Sequence, residues 1–426
     1  MTQPSGQRGQ VPGSADNQLD IDEGQARIEW VSRHSPVLNG FVRGTLADGA
    51  LKGLRIAVVV HLEAKTAFLA TILADAGAEV IVAGSNPRTT SGPVVAALRA
   101  RGLAVVSEAG GDHRSWEREL LAAADLQPQY IIDDGAELTI RMARLRPDLY
   151  ARLKGVSEET TTGTARLHAM SAASRLPFAA LTANDARCKH LFDNRYATGQ
   201  TTLQAILRLT NRQIAGARLA VIGYGHVGRG IALYAKAMGA STRVVETDPV
   251  RALEAHMDGH RVGAAADMLP GASIVVAATG GMRAVGSREF EYLDDDVVLA
   301  NAGHHDLEID VEALAAQTNN QAEARAGVTS YHLAGRDLHV LSGGALVNIA
   351  GGSGHPVEIM DLTFAVQGLG VHHLATADLP PGVHIIPKKL DDAIAAARLA
   401  SMGINLGENR PEQEDDVAGW IEGMPN

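Results

Sequence analysis

The sequence lacks several features that would point to particular classes of protein. Its 426 residues include one cysteine, Cys188, so no disulfide can form within the chain and no thiolate cage can hold a metal. No uninterrupted apolar run approaches the roughly 20 residues that a membrane-spanning helix needs. The first residues also lack the apolar core of a secretory signal. We therefore expect a cytoplasmic protein without a membrane partner.

The sequence also lacks an excess of basic residues. Lys and Arg number 38 against 49 Asp and Glu, which gives a net charge of −11. Nucleic-acid-binding proteins need basic patches, so we expect no nucleic-acid partner. The histidines show no HExxH motif and have no cysteine cluster beside them, so we expect no metal.

Two series of short β-branched runs alternate with segments of helical spacing. The first series predicts parallel strands at 54–60, 79–83, 103–107 and 129–133, and the second at 218–225, 242–248, 272–280 and 296–303. Strands that alternate with helices indicate parallel sheets covered on both faces. We predict an α/β fold of two doubly wound, Rossmann-like lobes with a cleft between them.

Composition and hinges predict how the chain divides into domains. The Gly-, Pro- and Ser-rich start indicates a disordered leader over 1–18. A substrate-binding and catalytic domain is expected over 19–198, and 355–400 completes it after a glycine-rich return hinge. A dinucleotide-binding domain is expected over 199–354. Residues 401–426 form a short acidic C-terminal tail that could cover a subunit interface or lie on the surface.

One glycine-rich loop carries a dinucleotide-binding signature. Gly223, Gly225 and Gly228 have GxGxxG spacing directly after a predicted strand and at the start of a predicted helix. Glu246 follows at the end of the next strand, where a carboxylate can hold a ribose diol and would repel a 2′-phosphate. The alternative is a glycine-rich turn without a ligand. The pattern predicts NAD rather than NADP, with His226 and Val227 also in the cofactor loop.

Eight motifs, the glycine-rich loop among them, resemble adenosylhomocysteinase between residues 51 and 391. They are IIDDGAELT (131–139), GVSEETTTG (155–163), KHLFDN (189–194), GYGHVGRG (223–230), NAGHHDLEID (301–310), LVN (346–348), GHP (354–356) and PGVHIIPKKLD (381–391). The resemblance implies a homo-oligomer, a dimer or tetramer, with a tightly bound NAD that is regenerated in each cycle. It implies transient oxidation of a nucleoside 3′-hydroxyl, removal of the 4′ proton and elimination of the 5′ substituent.

The resemblance also implies roles for single residues. Lys189 and Asp193 would handle the 3′-hydroxyl proton, with Asn194 orienting them. The other implied catalytic residues are Asp134 at C4′, Glu159 at the sugar hydroxyls, and His61 and His304 at the 5′ leaving group or the water. The implied cofactor contacts are Thr160, Thr161, Thr162, Glu246, Thr279, Gly280, Asn301, Gly303 and Asn348. The implied substrate contacts are Glu63, Lys65, His305, His355 at the entrance, Glu358, Met360 and Phe364.

Each of these residues also has an ordinary structural interpretation. Asp133 and Asp134 could cap the following helix, and Glu158 and Glu159 could favour a helix N-terminus through the dipole. Lys189 could form a surface ion pair of little value. The complete set, in family order, favours the catalytic interpretation.

The sequence departs from the family where the base and the leaving group would lie. A threonine and an acid or amide that help recognise adenine are replaced by Glu63 and Lys65, and a lysine cannot accept a hydrogen bond from an exocyclic amine. His305 and Glu358 stand where the family has phenylalanine, and either could protonate a poor leaving group such as hydroxide. The sequence therefore favours a nucleoside dehydratase of specialised metabolism. The alternatives are an S-adenosyl-L-homocysteine hydrolase and a non-catalytic, NAD-binding regulatory paralogue.

Overall fold

The computed structural model describes residues 18–303, 306–318 and 320–407. The predicted leader apart from Gln18, the tail beyond Gly407, and His304 and His305 lie outside the described residues. Within the described ranges, no helix is long and apolar enough to cross a membrane. The tail begins where the last helix ends, at Ser401.

The first sheet has seven strands, all parallel, in the order β15-β6-β5-β4-β1-β2-β3. Its strands are β1 Arg55–Val60, β2 Glu79–Gly84, β3 Ala104–Val105, β4 Tyr130–Asp133, β5 Gly155–Glu158, β6 Ala179–Thr182 and β15 Gly382–Ile385. The predicted strand at 103–107 is only two residues long, because it pairs with β2 alone at the edge of the sheet.

The second sheet has eight strands in the order β12-β13-β14-β11-β10-β7-β8-β9. Its strands are β7 Arg218–Ile222, β8 Ser241–Val245, β9 Arg261–Gly263, β10 Ile274–Ala277, β11 Val297–Asn301, β12 Gln321–Arg325, β13 Val328–Leu333 and β14 Arg336–Leu341. Strand β13 is antiparallel to both of its neighbours, and the other pairs are parallel. The prediction of two α/β lobes is confirmed, and the antiparallel edge is an addition to it.

Helices precede, connect and follow these strands. They are α1 Gln18–Arg33, α2 Arg43–Leu46, α3 Ala64–Asp75, α4 Gly92–Ala100, α5 His113–Asp125, α6 Glu137–Leu145, α7 Pro147–Tyr150, α8 Thr161–Ala172, α9 Arg187–Lys189, α10 Thr198–Thr210, α11 His226–Ala237, α12 Pro249–Met257, α13 Ala265–Met268, α14 Ser287–Phe290, α15 Val311–Ala316, α16 Val347–Ala350, α17 Val357–Thr376 and α18 Lys388–Ser401. Shorter turns are π-helical at Leu38–Val42 and His190–Ala197 and 3₁₀ at Pro87–Thr89, Ala183–Asp185 and Ser342–Gly344.

The first sheet is buried on both faces because its central strands carry apolar side chains on both of their faces. In β1, Ile56 and Val58 belong to a core formed with α3, α4 and α17, whereas Ala57 and Val59 belong to a core formed with α5, α6 and α8. A parallel sheet between two layers of helices needs this continuous apolar run. Helix α17 follows the return to the first lobe and packs in its core.

Two segments connect the lobes. The π-helical turn His190–Ala197 runs into α10 and packs against α11, where a Cβ on Gly230 would collide with the carbonyl group of Arg195. The chain returns to the first lobe through residues 347–356, the return segment, which contains α16 and Gly354 and runs into α17. The predicted domain boundaries agree with the position of these connections and stay predictions.

Candidate active site

The predicted catalytic residues of the first lobe gather at the carboxyl ends of its parallel strands. His61 follows β1, Asp134 follows β4 and Glu159 follows β5. In an open α/β sheet the strand-to-helix turns meet at this edge, which is where such folds bind ligands. Strand order therefore brings together residues that are far apart in the sequence.

Lys189 is the centre of a buried cluster of charges. Its Nζ lies 3.2 Å from Asp193 Oδ1 and 3.5 Å from Glu159 Oε1, and it donates a hydrogen bond of 2.7 Å to Asn194 Oδ1. Lys189, Asp193 and Glu159 are all buried. The alternative of a surface ion pair is therefore wrong for Lys189.

The charges of this cluster set the pKa of each member. Burial raises the pKa of Glu159 to about 7, although the charge of Lys189 opposes this. Burial also opposes the ionisation of Asp193, but Lys189 and His355 hold the pKa of Asp193 well below its usual range. Burial disfavours the charge on Lys189, yet the two carboxylates outweigh it and raise the lysine pKa. At neutral pH the site therefore holds a lysine cation, an aspartate anion and a glutamate that titrates.

A second group of residues surrounds His61. Its Nδ1 lies 2.7 Å from Thr89 Oγ1, and its Nε2 lies 3.5 Å from Asp134 Oδ2. The same carboxylate oxygen of Asp134 accepts a hydrogen bond of 2.7 Å from Ser85 Oγ. The structure therefore places His61 and Asp134 face to face, as catalysis at adjacent carbon atoms would need.

The neighbouring acids, Asp133 and Glu158, have structural roles. Asp133 accepts hydrogen bonds from the backbone N–H groups of Leu138 and Thr139 at the start of α6. Glu158 accepts hydrogen bonds from the backbone of Gly135, Ala136 and Thr160. Asp133 and Glu158 therefore hold backbone N–H groups, whereas Asp134 faces His61 and Glu159 faces Lys189.

Helix α17 supports the cluster from the opposite side. Thr363 Oγ1 donates a hydrogen bond of 3.0 Å to Asp193 Oδ2, and Gln367 Nε2 donates one of 2.6 Å to Glu159 Oε2. The amide of Gln367 is oriented in turn by Ser157, whose hydroxyl donates to Gln367 Oε1. A fully buried helix face thus fixes both carboxylates.

His355, predicted at the substrate entrance, lies against the cluster itself. Its Nδ1 is 3.4 Å from Asp193 Oδ1, and its Nε2 is 3.1 Å from Thr198 Oγ1. His355 therefore connects the return segment between the lobes to the carboxylate of Asp193.

The residues predicted to bind the base lie on the turn after His61. The side chain of Glu63 caps α3, and Lys65 Nζ donates a hydrogen bond of 2.8 Å to its Oε2. Lys65 Nζ also donates one of 3.2 Å to the carbonyl oxygen of Ser353, in the return segment. Lys65 is buried and Glu63 is half-buried, so the cation of this pair is largely shielded from solvent.

The other predicted substrate residues of α17 differ in exposure. Glu358 is exposed in the first turn of the helix, whereas Met360 and Phe364 are buried with the core of the first lobe. His304 and His305 lie outside the described residues, so their roles stay predictions.

The glycine-rich loop has space that the protein itself does not fill. A Cβ on Gly228 would collide with the carbonyl of Gly223, and one on Gly223 would lie 2.6 Å from the carbonyl oxygen of Ala278. These two glycines serve close packing. A Cβ on Gly225 would meet only Arg251, at 3.9 Å, so the missing side chain leaves room for a ligand at the N-terminus of α11.

Two polar groups of the second lobe also fit a dinucleotide. Glu246, at the end of β8, accepts a hydrogen bond of 2.7 Å from the backbone N–H of Tyr224 in the loop. Asn348 Oδ1 is buried and has no hydrogen-bond partner among the described residues, which leaves it for a donor on the cofactor. The residues present therefore fit NAD.

The remaining predicted cofactor residues are held by protein contacts. Thr160 caps α8 and donates its hydroxyl to Glu158, while Thr161 contacts Asn184 and Thr162 lies in the first turn. Thr279 and Gly280 donate backbone N–H groups to the carboxylate of Glu308. The side chain of Asn301 accepts a hydrogen bond from the backbone N–H of Gly303. In the cofactor loop, the ring of His226 lies 4.8 Å from that of His190, and Val227 is half-buried. Their contact with NAD stays a prediction.

The sequence did not reveal several residues that complete the site. They are Ser85, Thr89, Ser157, Asn184, Thr363 and Gln367, which hold the predicted catalytic residues in place. Threonine, serine and glutamine within helices and turns carry no pattern of their own. The one signal in the sequence was that Thr363 and Gln367 are polar residues within an apolar helical run, where a buried polar side chain needs a partner.

The described residues include no group of three or more His, Cys, Asp or Glu that could hold a metal ion. One HxxxH spacing does occur, at His256 and His260, but His260 Nδ1 lies 2.6 Å from the hydroxyl of Thr242. These two histidines belong to no such group among the described residues.

The fold and the site together define a two-lobed, NAD-dependent enzyme. The family model for S-adenosyl-L-homocysteine hydrolase matches residues 16–148, and the model for its NAD-binding domain matches residues 194–354. The chain belongs to the S-adenosyl-L-homocysteine hydrolase family. The predicted family and the NAD cofactor are therefore confirmed.

Relatives with two kinds of name cover nearly the whole chain. The adenosylhomocysteinase of Thermococcus kodakarensis is 43% identical over 94% of this chain and 96% of its own length. That of Thermotoga maritima is 41% identical over 94% of this chain and 100% of its own. The S-inosyl-L-homocysteine hydrolase of Methanopyrus kandleri is 41% identical over 94% and 96%. These names support the hydrolase alternative better than the predicted dehydratase.

Proposed function

We propose that this enzyme hydrolyses a nucleosyl-homocysteine thioether whose purine carries a 6-oxo group, S-inosyl-L-homocysteine. The observation that carries the proposal is the ion pair between the buried Lys65 and the half-buried Glu63, on the turn after His61. The name of the Methanopyrus kandleri relative supports the same substrate.

The chemistry of the pair favours the 6-oxo base. A lysine ammonium has three donors and no acceptor, and an ionised glutamate only accepts. Lys65 uses two donors on Glu63 and Ser353, which leaves a third for a ligand. Hypoxanthine offers O6 as an acceptor and N1–H as a donor, which match Lys65 and Glu63 respectively. In the family, the residue in the place of Lys65 accepts from the adenine amine, and a lysine there has no acceptor to offer.

The group around Lys189 would act at the sugar hydroxyls, and the group around His61 would act at C4′ and C5′. Lys189 and Asp193 would move the proton of the 3′-hydroxyl, and Glu159 would bind the sugar hydroxyls. Asp134 would take the proton from C4′, and His61 would serve the departing sulfur or the incoming water at C5′. Bound NAD would supply the reversible oxidation at C3′. Water and the thioether would give inosine and L-homocysteine with no net oxidation.

The test compares two substrates on the purified holoenzyme. We expect kcat/KM for S-inosyl-L-homocysteine to exceed that for S-adenosyl-L-homocysteine by about 10- to 100-fold, the value of a charge-assisted hydrogen bond. Homocysteine release is followed with a thiol reagent. Preference for the adenosyl substrate would overturn the proposal.

Variants of Lys65 provide the matched controls. Lys65→Gln, which restores an acceptor, should narrow or reverse the preference, whereas Lys65→Arg should retain it. If the preference is the same in wild type and Lys65→Gln, Lys65 does not read the base.

The second candidate is S-adenosyl-L-homocysteine, which the names of the Thermococcus kodakarensis and Thermotoga maritima relatives favour. Glu63 could accept from an adenine amine in that case. The comparison above distinguishes the two substrates. Loss of water from a 5′-hydroxy nucleoside, without thiol release, would support the dehydratase instead, and NAD binding without any turnover would support a regulatory paralogue.

A further inference from the structure

The contacts of Thr89 determine how His61 can carry its proton. Thr89 Oγ1 donates a hydrogen bond of 3.0 Å to the carbonyl oxygen of Asn86 and lies 2.7 Å from His61 Nδ1. A threonine hydroxyl has one hydrogen. With that hydrogen directed at the carbonyl oxygen of Asn86, the oxygen of Thr89 is left to accept a hydrogen bond from Nδ1–H.

The other ring nitrogen of His61 has no such constraint. Its Nε2 lies 3.5 Å from Asp134 Oδ2, which is longer than an ordinary hydrogen bond. That oxygen already accepts a shorter hydrogen bond from Ser85. The hydrogen bond at Nδ1 is therefore the one that orients the ring.

We propose that Thr89 is a positioning residue that holds neutral His61 as the Nδ1–H tautomer, so that Nε2 is the basic nitrogen facing the reacting atoms. The tautomer of a histidine is set by the hydrogen bond that its other nitrogen makes. The part that His61 plays in turnover rests on the proposed function, whereas the tautomer does not.

The chain offers a matched control one residue away. Thr90 Oγ1 also donates to the carbonyl oxygen of Asn86, at 3.1 Å, and the hydrogen bonds found among the described residues do not join it to His61. Valine has nearly the same size as threonine, so Thr89→Val and Thr90→Val each remove one hydroxyl from the same turn. Only the change at 89 also removes the acceptor from His61.

The experiment reads the tautomer and the activity separately. Long-range ¹H–¹⁵N spectra of holoenzyme labelled with ¹⁵N-histidine report the protonated nitrogen, and the loss of signals in His61→Gln assigns them. Wild type should show a protonated Nδ1 on neutral His61. In Thr89→Val this preference should be lost and kcat should fall about 10- to 100-fold with little change in KM. Thr89→Ser should restore both, and Thr90→Val should retain both.

The outcomes are distinguishable. A wild-type His61 protonated at Nε2 overturns the proposal, as does an equal loss of kcat in Thr90→Val, which would indicate a structural effect of the turn. If neither thioether is a substrate, the proposed function fails while the spectra still decide the tautomer.

Discussion

At the scale of single residues, Lys189, Asp193 and Glu159 show how a shared buried site separates the pKa values of its members. Lys189 lies within 3.5 Å of an oxygen of each carboxylate, but Asp193 also faces His355 and Thr363. The additional partners of Asp193 stabilise its charged form, so Glu159 is the carboxyl group that takes up a proton first. Two acids beside one lysine thus acquire different chemical properties.

Glu159→Gln should change the pH dependence of the reaction. Because the pKa of Glu159 is about 7, we expect kcat/KM of the free enzyme to rise with pH through that value as the carboxylate becomes available to the sugar hydroxyls. The variant cannot ionise, so its kcat/KM should be lower by about 10- to 100-fold and lack this rise. The measurement is kcat/KM from pH 5.5 to 8.5.

The same substitution should change how stability depends on pH. The folded pKa of Glu159 lies above its ordinary value, so its contribution to stability is complete below about pH 4.5 and is lost as pH rises through about 7. The variant has no such loss. Its unfolding free energy relative to wild type should therefore increase over this range, and a constant difference would contradict the assigned pKa.

At the scale of elements, the turns from strand to helix carry the chemistry. Each lobe places such turns at the carboxyl edge of its sheet, and a buried glutamate orders the backbone there. Glu158 accepts from the turn after β4, and Glu308 accepts from the turn after β10. These two acids have fixed positions because they accept several backbone N–H groups each.

Gly225→Ala should separate cofactor binding from folding. The backbone at Gly225 has φ of −73°, which alanine adopts without strain, and among the described residues, apart from its chain neighbours, the nearest atom to the added Cβ is Arg251 Nη1 at 3.9 Å. The methyl group would occupy the space in front of the helix N-terminus. We expect the unfolding midpoint of the NAD-free protein to change little, and the NAD released on denaturation to fall at least about tenfold.

Gly228→Ala provides the contrast. Its Cβ would collide with the carbonyl of Gly223, so this variant should lose stability as well as NAD. Equal retention of NAD by Gly225→Ala and wild type would mean that the pyrophosphate does not approach this glycine.

At the scale of the whole molecule, contacts across the cleft determine how the two groups of residues meet. Lys65 reaches Ser353 in the return segment, and Arg88, beside Thr89, reaches the second lobe. Arg88 Nη1 lies 3.5 Å from Asp306 Oδ2 and donates to the carbonyl oxygen of Gly343. The first lobe thus contacts the second through the same turn that orients His61.

Arg88→Ala should favour an open arrangement of the lobes. The ion pair is partly exposed and is therefore worth about 0.2–1 kcal/mol, which corresponds to an increase in KM of up to about fivefold. The radius of gyration from small-angle scattering should rise slightly, and both effects should fade at high salt. Arg101→Ala, which removes an exposed arginine at the end of α4, is the control. Equal values for the two variants would show that the contact does not hold the lobes.

The sequence predicted local features of the fold well and long-range features poorly. The apolar runs before His61 and Gly223 were predicted as strands, and they form β1 and β7. An apolar stretch bounded by polar turns has few alternatives in an α/β chain. The predicted strand at 103–107 was too long because pairing with a neighbour, rather than composition, ends an edge strand. The antiparallel strands β12 to β14 were not predicted, since their polar edge carries no strong pattern.

Sequence alone determined the two α/β lobes, the NAD-binding loop, the family and the identity of the central ionisable residues. Each of these features follows from a motif or a hydrophobic pattern within a short stretch of the chain. Tertiary structure decided which acids hold backbone N–H groups and which face Lys189 or His61. It also placed Gln367 on Glu159, 208 residues away, and Lys65 on Ser353, 288 residues away. The physical reason is that burial and charge neighbours set a pKa and a hydrogen-bond partner, and both come from strands and helices that meet only when the chain is folded.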